Sequence, residues 1–511
     1  MEFSVRFVSI YLLTLVSFGD AKFNVLMIAV DDLRPELHSY GIKGILTPNI
    51  NKLASTSLQF DRAYCQQAIC NPTRTSLLTS RRPDSTKVWD LAGYWRHLGG
   101  NFTSLPEYFK SNGYRTAGMG KVYHDNQIRE DVPYSWTEPY FHAPAQRRYG
   151  CCGNRTSSWW AVDNSVELPD EQIAQHAVET LQMLKNAQNS KNETKPFFVA
   201  VGFRKPHLPF FAPQKFYDLY PEGSVPLVPN RYRPKNMPEV AWNPLEGLRF
   251  WNDFNSLNVS YPDGLCPDEE QLKLRRAYYA CVSYMDAQVG KVLSELESLG
   301  LENDTIVIFW GDHGWQLGEH GEWGKYTNWE MGTHVPLFFR VPGMKTAGQR
   351  TSAFVEYVDI FPSLADAAGL PVPPQCQPNM QEATCTEGVS FLPLTENSTR
   401  KWKTAAFSQY PRPSVRGTLA ERRYCGASCN PSYCDTMGYT MRTYQYRYTE
   451  WIPFNATTGS VHWDHPRAVE LYDHQSDEGE NDNIASSANK SLLSQLAQEL
   501  RSGWRAHLPP F

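Results

Sequence analysis

Four short apolar runs in this chain each end on a charged cluster, and that repetition limits the folds open to it. Asn24–Val30 (NVLMIAV) runs into Asp31-Asp32, and Tyr114–Met119 into Gly120-Lys121 and His124. Phe197–Phe203 (FFVAVGF) runs into Arg204-Lys205-Pro206-His207, and Thr305–Trp310 (TIVIFW) into Gly311-Asp312-His313-Gly314. Runs that are apolar throughout mark strands covered on both faces, as in a parallel sheet. Val335–Val341 (VPLFFRV) reads as a further strand of this kind. Helical patterns lie between, the clearest from Asp268 to Leu299, with Asp268 as N-cap and Gly300 as the stop. The alternation predicts an α/β sandwich, a sheet flanked by helices. Open α/β sheets bind ligands at the carboxyl ends of their strands, so the four clusters are expected to converge. One Asp after a strand usually only caps the next helix; four such clusters are harder to explain that way.

With 511 residues the chain exceeds a single ordinary core. From about Lys401 its character changes: a Cys-rich stretch, then Tyr439–Thr449 and Trp451–Phe454 as an antiparallel hairpin, then a helical pattern over Leu492–His507. Residues 22–400 are therefore expected to form the large domain and 401–511 a smaller α+β domain. Arg6, the apolar run Phe7–Phe18 and Gly19-Asp20-Ala21 read as a cleaved signal peptide over residues 1–21. No later run of eighteen apolar residues follows, so no membrane span is expected. Eight Asn-x-Ser/Thr sequons (Asn101, Asn154, Asn192, Asn258, Asn303, Asn397, Asn455, Asn489) fit the secretory pathway. The net charge of -5 argues against nucleic-acid binding, so an anionic substrate would need a local cluster of cations.

Asp31, Asp32, Asp312 and His313 offer three carboxylates and an imidazole, a set suited to Ca²⁺ or Mg²⁺. Arg74, Lys121 and Lys325, with His124 and His207, form a candidate clamp for a tetrahedral anion. Cys70 and Pro72 precede a helix start whose N-terminus would add positive charge. The chain has eleven cysteines. An odd count in an oxidising compartment leaves a thiol to be explained, and Cys70 is the candidate with another fate. Cys376 and Cys385 are close enough to staple a loop, Cys425, Cys429 and Cys434 cluster late, and Cys281 lies in a helical pattern.

Cys70-Asn71-Pro72-Thr73-Arg74 resembles the C-x-P-x-R signature of the type I sulfatases. It stands in the family's order between Asp31-Asp32, Gly120-Lys121-Val122-Tyr123-His124 and Asp312-His313-Gly314. The similarity extends through Lys205-Pro206-His207-Leu208-Pro209-Phe210, Asp312–Trp323, Ser408–Pro413 and Tyr444–Thr449, and points to members acting on 2-sulfated iduronate. Cys65, Cys151-Cys152 and the late cysteines depart from the expected disulfide pattern, and Arg416–Cys434 diverges.

The resemblance implies an alkaline-phosphatase-like sulfatase sandwich with a large mixed sheet, plus a C-terminal domain with an antiparallel sheet. It implies Ca²⁺ bound by Asp31, Asp32, Asp312, His313 and residue 70. Cys70, oxidised by the formylglycine-generating enzyme, would act as the formylglycine hydrate that attacks sulfur. Arg74 and Lys121 would hold the hydrate, Lys325 and His207 would grip the sulfate or protonate the leaving oxygen, and His124 would help expel sulfate. Trp315 and Tyr326 would lie against the sugar. The implied reaction removes the 2-O-sulfate of terminal iduronate in dermatan and heparan sulfate, in the lysosome or after secretion. Another sulfated sugar, a phosphoester, or an inactive glycan-binding relative are the alternatives. Phosphatases of this superfold usually place Ser or Thr at the nucleophile, and an inactive relative would have lost metal or clamp residues.

Overall fold

The computed structural model describes residues 22–144, 156–190, 195–242, 248, 249, 251–257, 259, 260, 264–378, 382–413 and 434–510, with side chains 126–130 excepted. The leader read over residues 1–21, Cys151-Cys152, Cys425, Cys429 and most of Arg416–Cys434 lie outside them.

The apolar runs form a seven-stranded mixed sheet of β1 (Asn24–Val30), β2 (Leu58–Phe60), β3 (Arg115–Gly120), β4 (Phe197–Phe203), β5 (Thr305–Gly311), β6 (Leu337–Arg340) and β7 (Arg350–Thr351). The order across it is β7-β2-β6-β5-β1-β4-β3. At its centre β1 pairs in parallel with β4 and β5, and β3 in parallel with β4. Every residue of β1, β4 and β5 is buried, as runs without a polar face require. Leu26, Ile28 and Val30 pack on one side with Ile173, Ala177 and Leu181 of α3 (Pro169–Asn189) and Val282 and Met285 of α4 (Asp268–Ser298). Val25, Met27 and Ala29 pack on the other with Leu77 and Leu78 of α1 (Cys70–Thr79).

Three expectations are corrected. The run 335–341 is not a parallel strand: Pro336 interrupts it, and β6 pairs antiparallel with β5 and β2. Pro267, not Asp268, caps α4, while Gly300 provides the stop with φ +63°. The hairpin turns at Tyr444-Gln445, between β9 (Thr436–Thr443) and β10 (Tyr446–Asn455), because Thr443 Oγ1 accepts from Tyr446 N at 2.9 Å and closes it there.

With β8 (Ala405–Arg412), β11 (Ser460–Val461) and β12 (Ala468–Asp473), the hairpin builds a second, antiparallel sheet. The final helical pattern is two pieces: α5 (Lys490–Ser502) ends before Gly503 at φ +73°, and a 3₁₀ turn spans Trp504–His507. Leu496 and Leu500 of α5 seat on Met441, Tyr448 and Leu471 of this sheet. Cys376 and Cys385 form a disulfide and Cys434 is also disulfide-bonded, whereas Cys65, Cys70, Cys266 and Cys281 are free and buried. The five described sequon asparagines, Asn101, Asn303, Asn397, Asn455 and Asn489, are all exposed. Among the described residues no helix is long and apolar enough to cross a membrane.

Candidate active site

The strand ends meet as the apolar pattern implies. The ladder runs past β1, β3 and β5: Asp31 N donates to Phe203 O at 3.1 Å, Asp312 N to Val30 O at 3.0 Å, and Lys121 N to Gly202 O at 2.8 Å. Those bonds fix the backbone directly beneath Asp31, Asp312 and Lys121. Asp32 then turns with φ +58°, a left-handed conformation for a non-glycine residue, and its N–H donates to Asp312 Oδ1 at 2.9 Å. Such strained backbone concentrates at functional sites.

Cys70 is the first residue of α1, all ten of whose residues are buried and whose first turn carries no acid. The partial positive charge of that helix terminus therefore meets the site unopposed. The Cys70 Sγ lies 3.4 Å from Asp31 Oδ1 and from His313 Nε2, 3.0 Å from Lys325 Nζ and 3.6 Å from Lys121 Nζ. Burial, with Asp31 nearby, pushes this thiol far up, so unmodified Cys70 carries its proton.

One ligand atom each from Asp31, Asp32, Cys70, Asp312 and His313 lies within 4.8 Å of all the others. His313 Nδ1 donates to Gly314 O at 2.9 Å, a carbonyl that can only accept, so the lone pair sits on Nε2. That atom faces Asp32 Oδ1 and Asp312 Oδ1 at 3.4 Å each. Asp32 Oδ2 is buried without a hydrogen-bond partner. Burial, with Asp31 and Asp312 close by, pushes Asp32 up to about 7. An orphaned carboxylate oxygen, a correctly oriented imidazole and crowded acids form a donor set that fits a hard divalent cation. A second group, Glu330, His474 and Glu480, is equally tight, but Arg442 and Arg447 already occupy it.

The cations divide their work. Arg74 Nε donates to Asp312 Oδ2 at 3.0 Å, Nη2 to Asp31 Oδ1 at 3.1 Å and Nη1 to Val122 O at 3.0 Å. Its guanidinium thus braces the acids. Lys121 pairs with Asp31, and Lys325 Nζ donates to Asp32 Oδ1 at 2.6 Å. Burial works to raise Asp31, but Lys121, Arg74 and Lys325 outweigh it and hold the carboxyl well below its ordinary value. Both lysines are protonated: the carboxylates overcome the desolvation that would neutralise them.

His207 Nδ1 donates to Leu208 O at 2.5 Å, leaving Nε2 bare 3.9 Å from Asp32 Oδ2. His124 caps the helix α2 (Asp125–Ser135), and its Nδ1 is buried without a partner. Burial beside Lys121 lowers His124 to about 3, so its imidazole is neutral. Trp315 is 2% exposed beneath Lys325, whose Nζ lies 5.6 Å from the ring centroid. Tyr326 follows Lys325 with φ +79°. Asp31, Asp32, Cys70, Arg74, Lys121, His207, Asp312, His313 and Lys325 thus come together at the carboxyl ends of the central strands, with His124 beside Lys121, and Trp315 and Tyr326 beside Lys325.

It adds Asp125 and Arg204, joined through both guanidinium Nη atoms at 2.6 and 3.2 Å. This pair ties the segment carrying His124 to the loop carrying His207. Arg204 directly follows β4, a signal the sequence already offered; Asp125 carried none.

A sequence profile described as Sulfatase matches residues 23–370. Human iduronate 2-sulfatase is 39% identical over 93% of both chains, and a sulfatase of Formosa agariphila 33% identical over 68% of this chain and 70% of its own. Among solved structures, one in complex with D-glucosamine-2-N,6-O-disulfate superposes with TM-score 0.69 at 20% identity, covering 94% of this chain and 97% of that one. The phosphonate monoester hydrolase of Agrobacterium radiobacter superposes with TM-score 0.68 at 21% identity, covering 94% and 96%. At such identities these two show the fold alone. The profile match and the extent of the sequence identity establish that the chain belongs to the sulfatase family.

Proposed function

We propose that this enzyme removes the 2-O-sulfate from terminal iduronate residues of dermatan and heparan sulfate, with Cys70 converted to formylglycine and Ca²⁺ in the acidic cluster. The carrying observation is the position of residue 70, between two protonated lysines and a set of hard ligands, in a chain so similar to iduronate 2-sulfatase. Asp31, Asp32, Asp312, His313 and residue 70 would hold the cation, which when bound balances the acids and polarises sulfate oxygens. Residue 70, once converted to formylglycine and hydrated, would supply the hydroxyl that attacks sulfur and a second one through which sulfate is later released.

The side chains do the rest. Arg74 fixes the acids that face residue 70, and Lys121 stabilises charge on it from 3.6 Å. Lys325, protonated and 3.0 Å from Sγ, grips the sulfate and hands a proton to the leaving sugar oxygen, with His207 Nε2, 3.9 Å from Asp32 Oδ2, joining it at the sulfate. Neutral His124 accepts the proton whose loss frees sulfate. Tyr326, and Trp315 where it backs Lys325, would lie against the uronate. The formylglycine-generating enzyme is the maturation partner. The site of action is the lysosome, with secretion the alternative, a reading supported by exposed sequons.

A panel of defined sulfated disaccharides tests the substrate: sulfate released from terminal 2-sulfated iduronate is expected, and release only from glucosamine sulfates overturns the assignment. Mass spectrometry of the peptide carrying residue 70, from secreted protein, is expected to show aldehyde in place of thiol; cysteine throughout an active preparation refutes the nucleophile.

A further inference from the structure

The loop that delivers Lys325 is held in a conformation its own sequence disfavours. Tyr326 has φ +79°, a region that L residues with a full side chain rarely adopt and that persists only where the surroundings impose it. Two bonds impose it here. Tyr326 N donates to Ala68 O at 3.0 Å, two residues before Cys70, and Tyr326 O accepts from Arg412 Nη2. One residue thus ties the nucleophile's loop to the lysine's loop, and its outer bond comes from the second sheet.

Arg412 ends β8, is 6% exposed, and stacks its guanidinium 4.6 Å from the Tyr410 ring centroid; its Nε is buried without a partner. An arginine buried at such desolvation cost, with a charge-assisted bond to a strained carbonyl, is placed for positioning. The same sheet grips the rest of this segment. Asn328 Nδ2 donates to Gly438 O at 3.0 Å, Arg442 Nε to Glu330 Oε2 at 3.0 Å, and the Trp329 and Tyr472 rings lie 5.2 Å apart.

We propose that Arg412 is a positioning residue of the reaction: it locks the left-handed Tyr326 backbone and thereby sets Lys325 Nζ against residue 70. This rests on the role given to Lys325 above. A proton donor that is misplaced harms substrates with poor leaving groups far more than those with good ones, whereas general loosening of the fold harms all alike.

The test is kcat/KM for Arg412→Ala across aryl sulfates of decreasing leaving-group acidity and a 2-sulfated iduronide, on protein matched for aldehyde content and melting temperature. The expected loss is about 100-fold on the sugar sulfate, the scale of an ångström's misplacement, and about 3-fold on 4-nitrophenyl sulfate. In a Tyr326→Gly background, where glycine accepts φ +79° freely, removing Arg412 is expected to add about 5-fold or less. An Arg412→Ala loss equal across the series, or unchanged by Tyr326→Gly, overturns the inference. If the alanine variant is not secreted, Arg412→Lys is carried through the same series and judged by the same slopes. Lys325→Met separates the two claims: a steep leaving-group dependence there with a flat one in the Arg412 variant sinks only the positioning role. A flat Lys325→Met series sinks the reading of Lys325 and the inference with it.

Discussion

On the proposed metal site, removing the cation is expected to make the stability of this enzyme depend on pH in a direction set chiefly by Asp32. In the metal-free fold burial and two neighbouring acids push this carboxyl from an ordinary 3.8 to about 7. Between those values the folded protein keeps a proton that the unfolded chain releases. Stability of the metal-free form therefore falls as pH rises from about 4 to about 7, and the loss is complete above that. At about 1.4 kcal/mol per pH unit the gap is worth about 4 kcal/mol. With the proposed cation bound, Asp32 would be ionised as a ligand and this dependence would vanish. His207 and His313, both held well below their ordinary value chiefly by burial, are neutral in either form and cancel in the difference. For a chain of 511 residues, 4 kcal/mol corresponds to about 4 °C in melting temperature. The assay is calorimetric melting of Ca²⁺-loaded and chelator-dialysed protein from pH 4.5 to 7.5, repeated on Asp32→Asn. The loaded-minus-stripped gap is expected to widen with pH in the parent and to widen less in the variant, where Asp312, also raised by burial, remains. A gap that narrows with pH, or an identical slope in Asp32→Asn, would refute the reasoning.

Three further outcomes follow from other sites. Glu470, which accepts from Trp451 Nε1 at 2.6 Å and Tyr472 Oη at 2.8 Å, is raised by burial to about 7, so its contribution also declines as pH rises from about 4.5 to 7; Glu470→Gln is expected to gain about 3 kcal/mol over the parent across that window, read by denaturant midpoints at pH 4.5 and 7.5. A Cβ at Gly202 would lie 2.2 Å from the Lys121 carbonyl carbon, so Gly202→Ala must displace the backbone that aims Lys121; a loss of about 1–3 kcal/mol is expected, with kcat falling more than melting does. Lys403 bridges Glu356 at 2.9 Å and Asp359 at 2.7 Å, all three buried, and Lys403→Met is expected to destabilise by about 3–5 kcal/mol in a thermal unfolding assay because it leaves buried acids short of a partner.

The central sheet was legible because β1, β4 and β5 are apolar from end to end, and the abrupt charges after them announced the site. The antiparallel β6 was not, since direction depends on where the connection returns, and VPLFFRV carries no mark of it. The hairpin register likewise hung on one hydroxyl, Thr443, rather than on any pattern. The role proposed for Cys70 came from the C-x-P-x-R resemblance, while the acids and lysines followed from residue type and place. Arg412 did not: its bond to Tyr326 joins residues 86 positions apart, and a positive φ at Tyr326 leaves no trace in composition. The Asp125–Arg204 pair, spanning 79 positions, was hidden for the same reason.

The burial of residue 70 also has a bearing on how active enzyme comes to exist. Its side chain is 2% exposed on a helix sealed along its whole length, and the acids around it come from positions 280 apart that meet only when the sheet is complete. On the proposed chemistry, a maturing enzyme would have to reach this thiol before the chain closes over it. Oxidation and folding are then competitors on one nascent chain, and the fraction of active molecules is decided during synthesis. Chains that closed too early would be folded yet inactive. Variants that delay closure would emerge with more aldehyde, not less.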